Sequence, residues 1–168
     1  MKIIPSPDRR IIMEKKHRGI RIALIVMEVF TGLGAIGGGT AILMGAFDRW
    51  FSIEWLQGTP FSDYTIPGLL LLIVVGGGMM LAASAVFVRR LWAVLLSMAM
   101  GLVMVGFEAV EVAIIDRYAQ AVIPSTIVQQ ALMSGIGLAI FGLSAFLWLS
   151  EYRHHPTWHI PEDLRITG

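Results

Sequence analysis

The sequence predicts an all-α membrane protein: an up-down bundle of four transmembrane helices, both termini cytoplasmic, with a short interfacial helix in the first outer loop. Three observations predict it. Four long apolar segments dominate the chain, nearly all lysine and arginine falls on one side of them, and aromatic residues mark their ends. Composition agrees: 56% of the residues are hydrophobic and 15% charged, against about 25% charged in a soluble domain. The formal net charge of +1 offers no basic surface for nucleic acid, and the lack of cysteine excludes disulfides and thiolate metal sites.

The whole chain reads as one membrane domain. Residues 1–21 form a basic cytoplasmic segment in which Ile11, Ile12 and Met13 lie among arginines and lysines. Such a mixture suits anionic headgroups, and it also serves simply to set topology. Residues 22–47 form the first span, with Glu28 as its one charge. It is too long for the apolar part of a signal peptide and no small-residue cleavage site follows it, so a retained helix is expected. The second span, 66–88, is uncharged; the third, 91–115, carries Glu108 and Glu111; the fourth, 127–150, is again uncharged. Each reaches the ~20 residues that cross the hydrocarbon core. Only helices fit, because a backbone in lipid must satisfy its own hydrogen bonds and four segments cannot close a barrel. Residues 151–168 form a cytoplasmic tail.

Orientation follows from the basic residues. Lys2, Arg9, Arg10, Lys15, Lys16, Arg18 and Arg21 precede the first span, Arg89 and Arg90 join the second to the third, and Arg153 and Arg165 lie in the tail. The opposite side has only Arg49 and Arg117. The positive-inside rule then places the termini and the Arg89-Arg90 turn in the cytoplasm and the protein in the inner or plasma membrane. Trp50, Trp55, Tyr64 and Tyr118 are expected at the outer interface, and Trp92, Trp148 and Tyr152 at the inner one.

The connections carry their own signals. Arg89-Arg90 is short enough to make the second and third helices antiparallel neighbours. In the outer loop, Phe51 and Trp55 share one face of a short surface helix that Gly58 and Pro60 end. Thr65 is a candidate cap, and Pro67 suits the first turn of the second span. The stretch Gln57-Gly58-Thr59-Pro60-Phe61-Ser62-Asp63-Tyr64-Thr65-Ile66-Pro67-Gly68 resembles the outer loop of uncharacterised small four-helix bacterial integral membrane proteins. That resemblance covers about the first half of the chain and implies architecture without an activity.

Small residues mark expected helix contacts. Gly34 and Gly38 form a GxxxG pair, Gly78 and Ala82 are spaced alike, and so are Gly135 and Ala139. In lipid, where apolar side chains gain little by meeting one another, close approach through small residues supplies the packing. These stripes serve one bundle internally, and the wider glycine runs leave room for a second copy of the chain.

The intramembrane carboxylates are the residues that invite a mechanism, since a charge at the bilayer centre costs at least about 2.5 kcal/mol. Depth tempers that. The first span exceeds the hydrocarbon by about 9 Å and Glu28 lies about 9 Å from its start, which allows it to rest at the inner interface beside Arg21. Glu108 and Glu111 lie in the outer third, on one helical face, with Arg49 at the level of an ion-pair partner. They are a candidate proton or cation site, or interfacial glutamates neutralised by Arg49 or Arg117. Ser97, Ser84, Thr31 and Thr40 are the polar groups that could step between the two levels.

His154, His155 and His159 in the tail resemble a helical metal pair in spacing, but Pro156 interrupts it, so no metal site is expected. No catalytic triad, zinc or haem signature occurs and no cofactor is implied. Two functions remain. The chain is a structural or accessory membrane protein engaging lipid or a protein partner, or a small oligomeric transporter or channel using Glu108 and Glu111.

Overall fold

The structure, a computed structural model, describes residues 7–48, 52–89, 92–118 and 124–151, and the side chains over 18–48, 52–54, 56–89, 92–113 and 127–150. Four helices build it: α1 (Pro7–Leu43), α2 (Thr65–Phe87), α3 (Ala93–Tyr118) and α4 (Pro124–Glu151), with no strand among the described residues. Each contains a membrane-length apolar stretch, Arg18–Leu43, Thr65–Phe87, Ala93–Ala113 and Ile127–Ser150, of 21 to 26 residues. The expected four-helix, sheet-free membrane bundle is therefore present. The backbone of α1 also continues back to Pro7, so the basic segment up to Arg21 is mostly an extension of the first span.

Helix ends are set by identifiable chemistry. After Leu43, Gly45 turns left-handed (φ 71°), and the Gly45 and Ala46 amides donate to the Ile42 and Ala41 carbonyls, 3.0 and 2.9 Å away. That pairing is a Schellman motif, which uses a residue of positive φ to satisfy the last carbonyls. The loop that follows contains a short 3-10 helix, Ile53–Leu56, within the stretch where a short helix is expected. The Ser52 hydroxyl accepts from the Glu54 amide at its start, and buried Leu56 brings the turn against α3. At the start of α2 the cap comes from Asp63, whose carboxylate accepts the Thr65 amide at 2.8 Å, so Thr65 opens the helix instead of capping it. Within α2, Leu70–Gly77 runs as a wide π-type turn between two α-helical pieces. At its far end Arg89 takes the left-handed conformation (φ 53°) with no glycine to ease it.

The helices pack in a ring. Each one lies against its neighbours in sequence and α4 returns to α1, leaving α1 diagonal to α3 and α2 diagonal to α4. The register shows α1 and α2 antiparallel: a Cβ on Gly39 would meet the Leu72 amide and Gly68 carbonyl at 2.7 and 2.8 Å, and one on Gly76 would meet Ile36. The core contains Leu24, Ala35, Val75, Met79, Val86, Met100, Met104, Ile140 and Leu147. The outer surface is no less apolar, with Val26, Phe30, Leu33, Ile73, Leu81, Leu102 and Val128 exposed. That inversion is expected of a protein whose solvent is hydrocarbon.

Candidate functional site

Six positions of α1, Leu24, Glu28, Thr31, Gly32, Ala35 and Gly39, are buried. Their spacing of three and four residues makes one inward stripe, and Glu28 lies on it. The carboxyl that could have rested at an interface is in fact fully enclosed, 0% exposed, inside the bundle. On α3 the buried positions Ala93, Val94, Ser97, Met100, Gly101, Met104 and Glu108 form the corresponding stripe.

Glu28 reaches across the diagonal. The Ser97 hydroxyl approaches its carboxyl, although the two do not close a complete hydrogen bond. Thr31, one turn further along the face of Glu28, is 5% exposed, and Ser97 is 0% exposed. Both carboxyl oxygens of Glu28 and both hydroxyls are buried without a hydrogen-bond partner. Other hydroxyls of the bundle behave differently. Thr40, Ser84 and Ser144 donate to the carbonyls of Ile36, Met80 and Ile140 at 2.7 to 2.8 Å, within their own helices. Arg21 lies two turns before Glu28 on the same stripe, with its Nη1 buried.

The second carboxylate level lies about 16 Å further along α3, eleven residues beyond Ser97. Glu108 is 6% exposed and Glu111 half-buried. Arg49, the expected ion-pair partner, lies outside the described residues, as do Trp50 and the tail histidines; the side chains of Trp55, Arg117 and Tyr118 are also outside them. Between the two levels the stripe of α3 is Met100, Gly101 and Met104. Val75 and Met79 of α2 and Ile140 of α4 belong to the same apolar core.

The close helix contacts fall partly beside the positions the GxxxG pattern marks. Gly34 and Gly135 are exposed with open space where a Cβ would stand, and among the described residues a Cβ on Gly38 would meet only the Leu71 side chain, at 3.5 Å. Ala82 is fully buried, Ala139 half-buried, and the Met100 thioether lies where a Cβ on Gly78 would stand. The tightest approaches to the backbone of a neighbouring helix belong to Gly39 and Gly76 between α1 and α2, and to Gly101 and Gly137 between α3 and α4. Their signal in the sequence was phase: Gly32, Ala35 and Gly39 continue the stripe of Leu24 and Glu28, whereas Gly34 does not.

At the loop end of the bundle an open groove of about 630 Å³ is lined by residues that include Ile42, Asp48, Glu54, Asp63 and Tyr64. The Tyr64 hydroxyl donates to the Ser52 carbonyl at 2.9 Å and ties the loop across this groove. The Thr65 amide, with the Thr65 hydroxyl, holds the Asp63 carboxyl below the usual carboxylate range, and burial pushes the Tyr64 hydroxyl up. No group of three metal-type ligands occurs among the described residues.

These features define a multi-pass integral membrane protein, a four-helix bundle with a polar centre. The chain matches no protein-family model, no curated protein and no solved structure.

Proposed function

We propose that this protein is a structural or accessory component of the inner or plasma membrane, engaging lipid or a membrane-protein partner through its apolar flanks, and not an enzyme. The observation that carries this reading is the apolar filling between the two carboxylate levels. Met100 and Met104 stand between Ser97 and Glu108 on the inward face of α3, and the core around them is aliphatic. A route for ions would need water or polar groups along that stretch, because an unscreened charge there costs at least about 2.5 kcal/mol.

In the same reading the termini and the Arg89 turn face the cytoplasm, supported by the distribution of basic residues. The Ile53–Leu56 turn lies at the outer surface, and the likeness to small bacterial four-helix membrane proteins carries the assignment to a bacterial membrane. Exposed Gly34 and Gly135 leave a face on which a second copy or a partner helix can dock.

The test is flux of protons and common cations in proteoliposomes, comparing wild type with Glu108→Gln/Glu111→Gln. Equal flux at the level of empty liposomes is the expected result. Flux from the wild type that the double variant abolishes would replace the scaffold reading with a transporter using Glu108 and Glu111.

A further inference from the structure

We propose that Glu28, Thr31 and Ser97 form a binding site for one monovalent cation held inside the bundle, a proton or an alkali ion of the size of sodium. This goes beyond the scaffold reading, because a resident ion need not be transported.

The site rests on four enclosed oxygens. Glu28 supplies two, Thr31 and Ser97 one each, and none of the four has a hydrogen-bond partner in the protein. Buried polar groups are paired in folded proteins almost without exception, and each orphan costs about 1–3 kcal/mol, more where charge is involved. Thr31 and Ser97 also forgo the bond to their own helix that Thr40, Ser84 and Ser144 make. The Ser97 hydroxyl approaches Glu28 from the diagonal helix without closing on it. An occupant between them would satisfy all four oxygens at once.

Charge and donor type define that occupant. Among the residues whose side chains are described, α2 and α4 carry no titratable group and α3 carries only Glu108 and Glu111, at the other level. On α1 the charged groups nearest in sequence are Arg18 and Arg21, two to three turns away. The Glu28 carboxylate with two neutral hydroxyls matches one positive charge, and a divalent ion would leave a surplus at these four oxygens. Carboxylate and hydroxyl oxygens are hard donors, unsuited to soft metals. A proton and a sodium ion share the required chemistry.

Thermal unfolding of the purified full chain in detergent separates the two. Sodium chloride is exchanged for choline chloride at constant ionic strength, at acidic and at alkaline pH, for wild type, Glu28→Gln, Ser97→Ala and Thr31→Val. An ion bound only by the folded state raises the melting temperature as its concentration rises. A bound alkali ion makes wild type melt higher in sodium than in choline, and a bound proton makes it melt higher at acidic pH in either salt. In Glu28→Gln the sodium dependence vanishes and the pH dependence shrinks to what the remaining carboxylates, Asp63 among them, contribute. Loss of one hydroxyl moves the midpoint of whichever dependence is seen by about tenfold, and this comparison stands even if Glu28→Gln does not fold. Parallel responses of wild type and Glu28→Gln to sodium and to pH would overturn the site. Unchanged midpoints in both Ser97→Ala and Thr31→Val would overturn it as well.

Discussion

Gly101 of α3 and Gly137 of α4 meet backbone to backbone. A Cβ on Gly101 would lie 2.7 Å from the Gly137 carbonyl oxygen, and one on Gly137 would lie 3.0 Å from the Gly101 carbonyl oxygen. Neither obstacle is a flexible side chain, so relief requires the helices to separate. Gly101→Val and Gly137→Val are expected to cost about 1–3 kcal/mol each, the range for overpacking, measured by unfolding in mixed detergent. Gly34→Leu and Gly135→Leu, where nothing lies within 4 Å, should stay within about 0.5 kcal/mol of wild type. A change of oligomeric state in either leucine variant would locate a second copy on that face.

Gly45 and Arg89 hold the same left-handed conformation at two helix ends, with φ of 71° and 53°, but only one is a glycine. A side chain there costs roughly 1–2 kcal/mol. Gly45→Ala should lower stability by about that amount, and the added Cβ would also stand 2.8 Å from the Asp48 carboxylate. Arg89→Gly should raise it by up to about 1 kcal/mol. Chemical denaturation of both variants checks the pair of signs.

Asp63 makes the start of α2 sensitive to acid. Its carboxyl is held low in the fold by the Thr65 amide and hydroxyl. Its contribution is therefore whole above the carboxyl's unfolded value and is lost as pH falls through the lower folded one. Amide exchange at Ile66 and Gly68 should quicken relative to mid-helix amides as pH drops through that window. Asp63→Asn keeps an acceptor without the charge and should flatten the pH dependence; an unchanged dependence would remove Asp63 as its source.

Much of this architecture was legible in the sequence because each span must supply an unbroken apolar stretch of fixed length, a constraint that acts along the chain. The segments 66–88 and 127–150 coincide closely with Thr65–Phe87 and Ile127–Ser150. Facing was less legible. In a span where the lipid side is as apolar as the core, hydrophobicity carries little phase, and the GxxxG spacing at Gly34 and Gly38 falls away from the tightest backbone approaches. The polar residues held the better clue: Glu28 and Thr31 are three apart and both point inward. Helix length alone allows Glu28 either to rest beside Arg21 at an interface or to lie inside the bundle. The enclosure of Glu28 arises from α3 standing diagonally opposite, a relationship that spacing within α1 cannot contain. Ser97 and Thr31 were recognisable as polar steps in the spans, but the approach of Ser97 to the Glu28 carboxyl from the diagonal helix needed the ring of helices.

Glu28 and Ser97 approach each other across the bundle, and a double-mutant cycle on unfolding free energy reads that approach. With Glu28→Gln, Ser97→Ala and the combined variant, residues in contact should show a coupling of about 0.5–3 kcal/mol. Effects that add to within about 0.3–0.5 kcal/mol would contradict it, and would mean that the polar centre of the bundle does not exist as described.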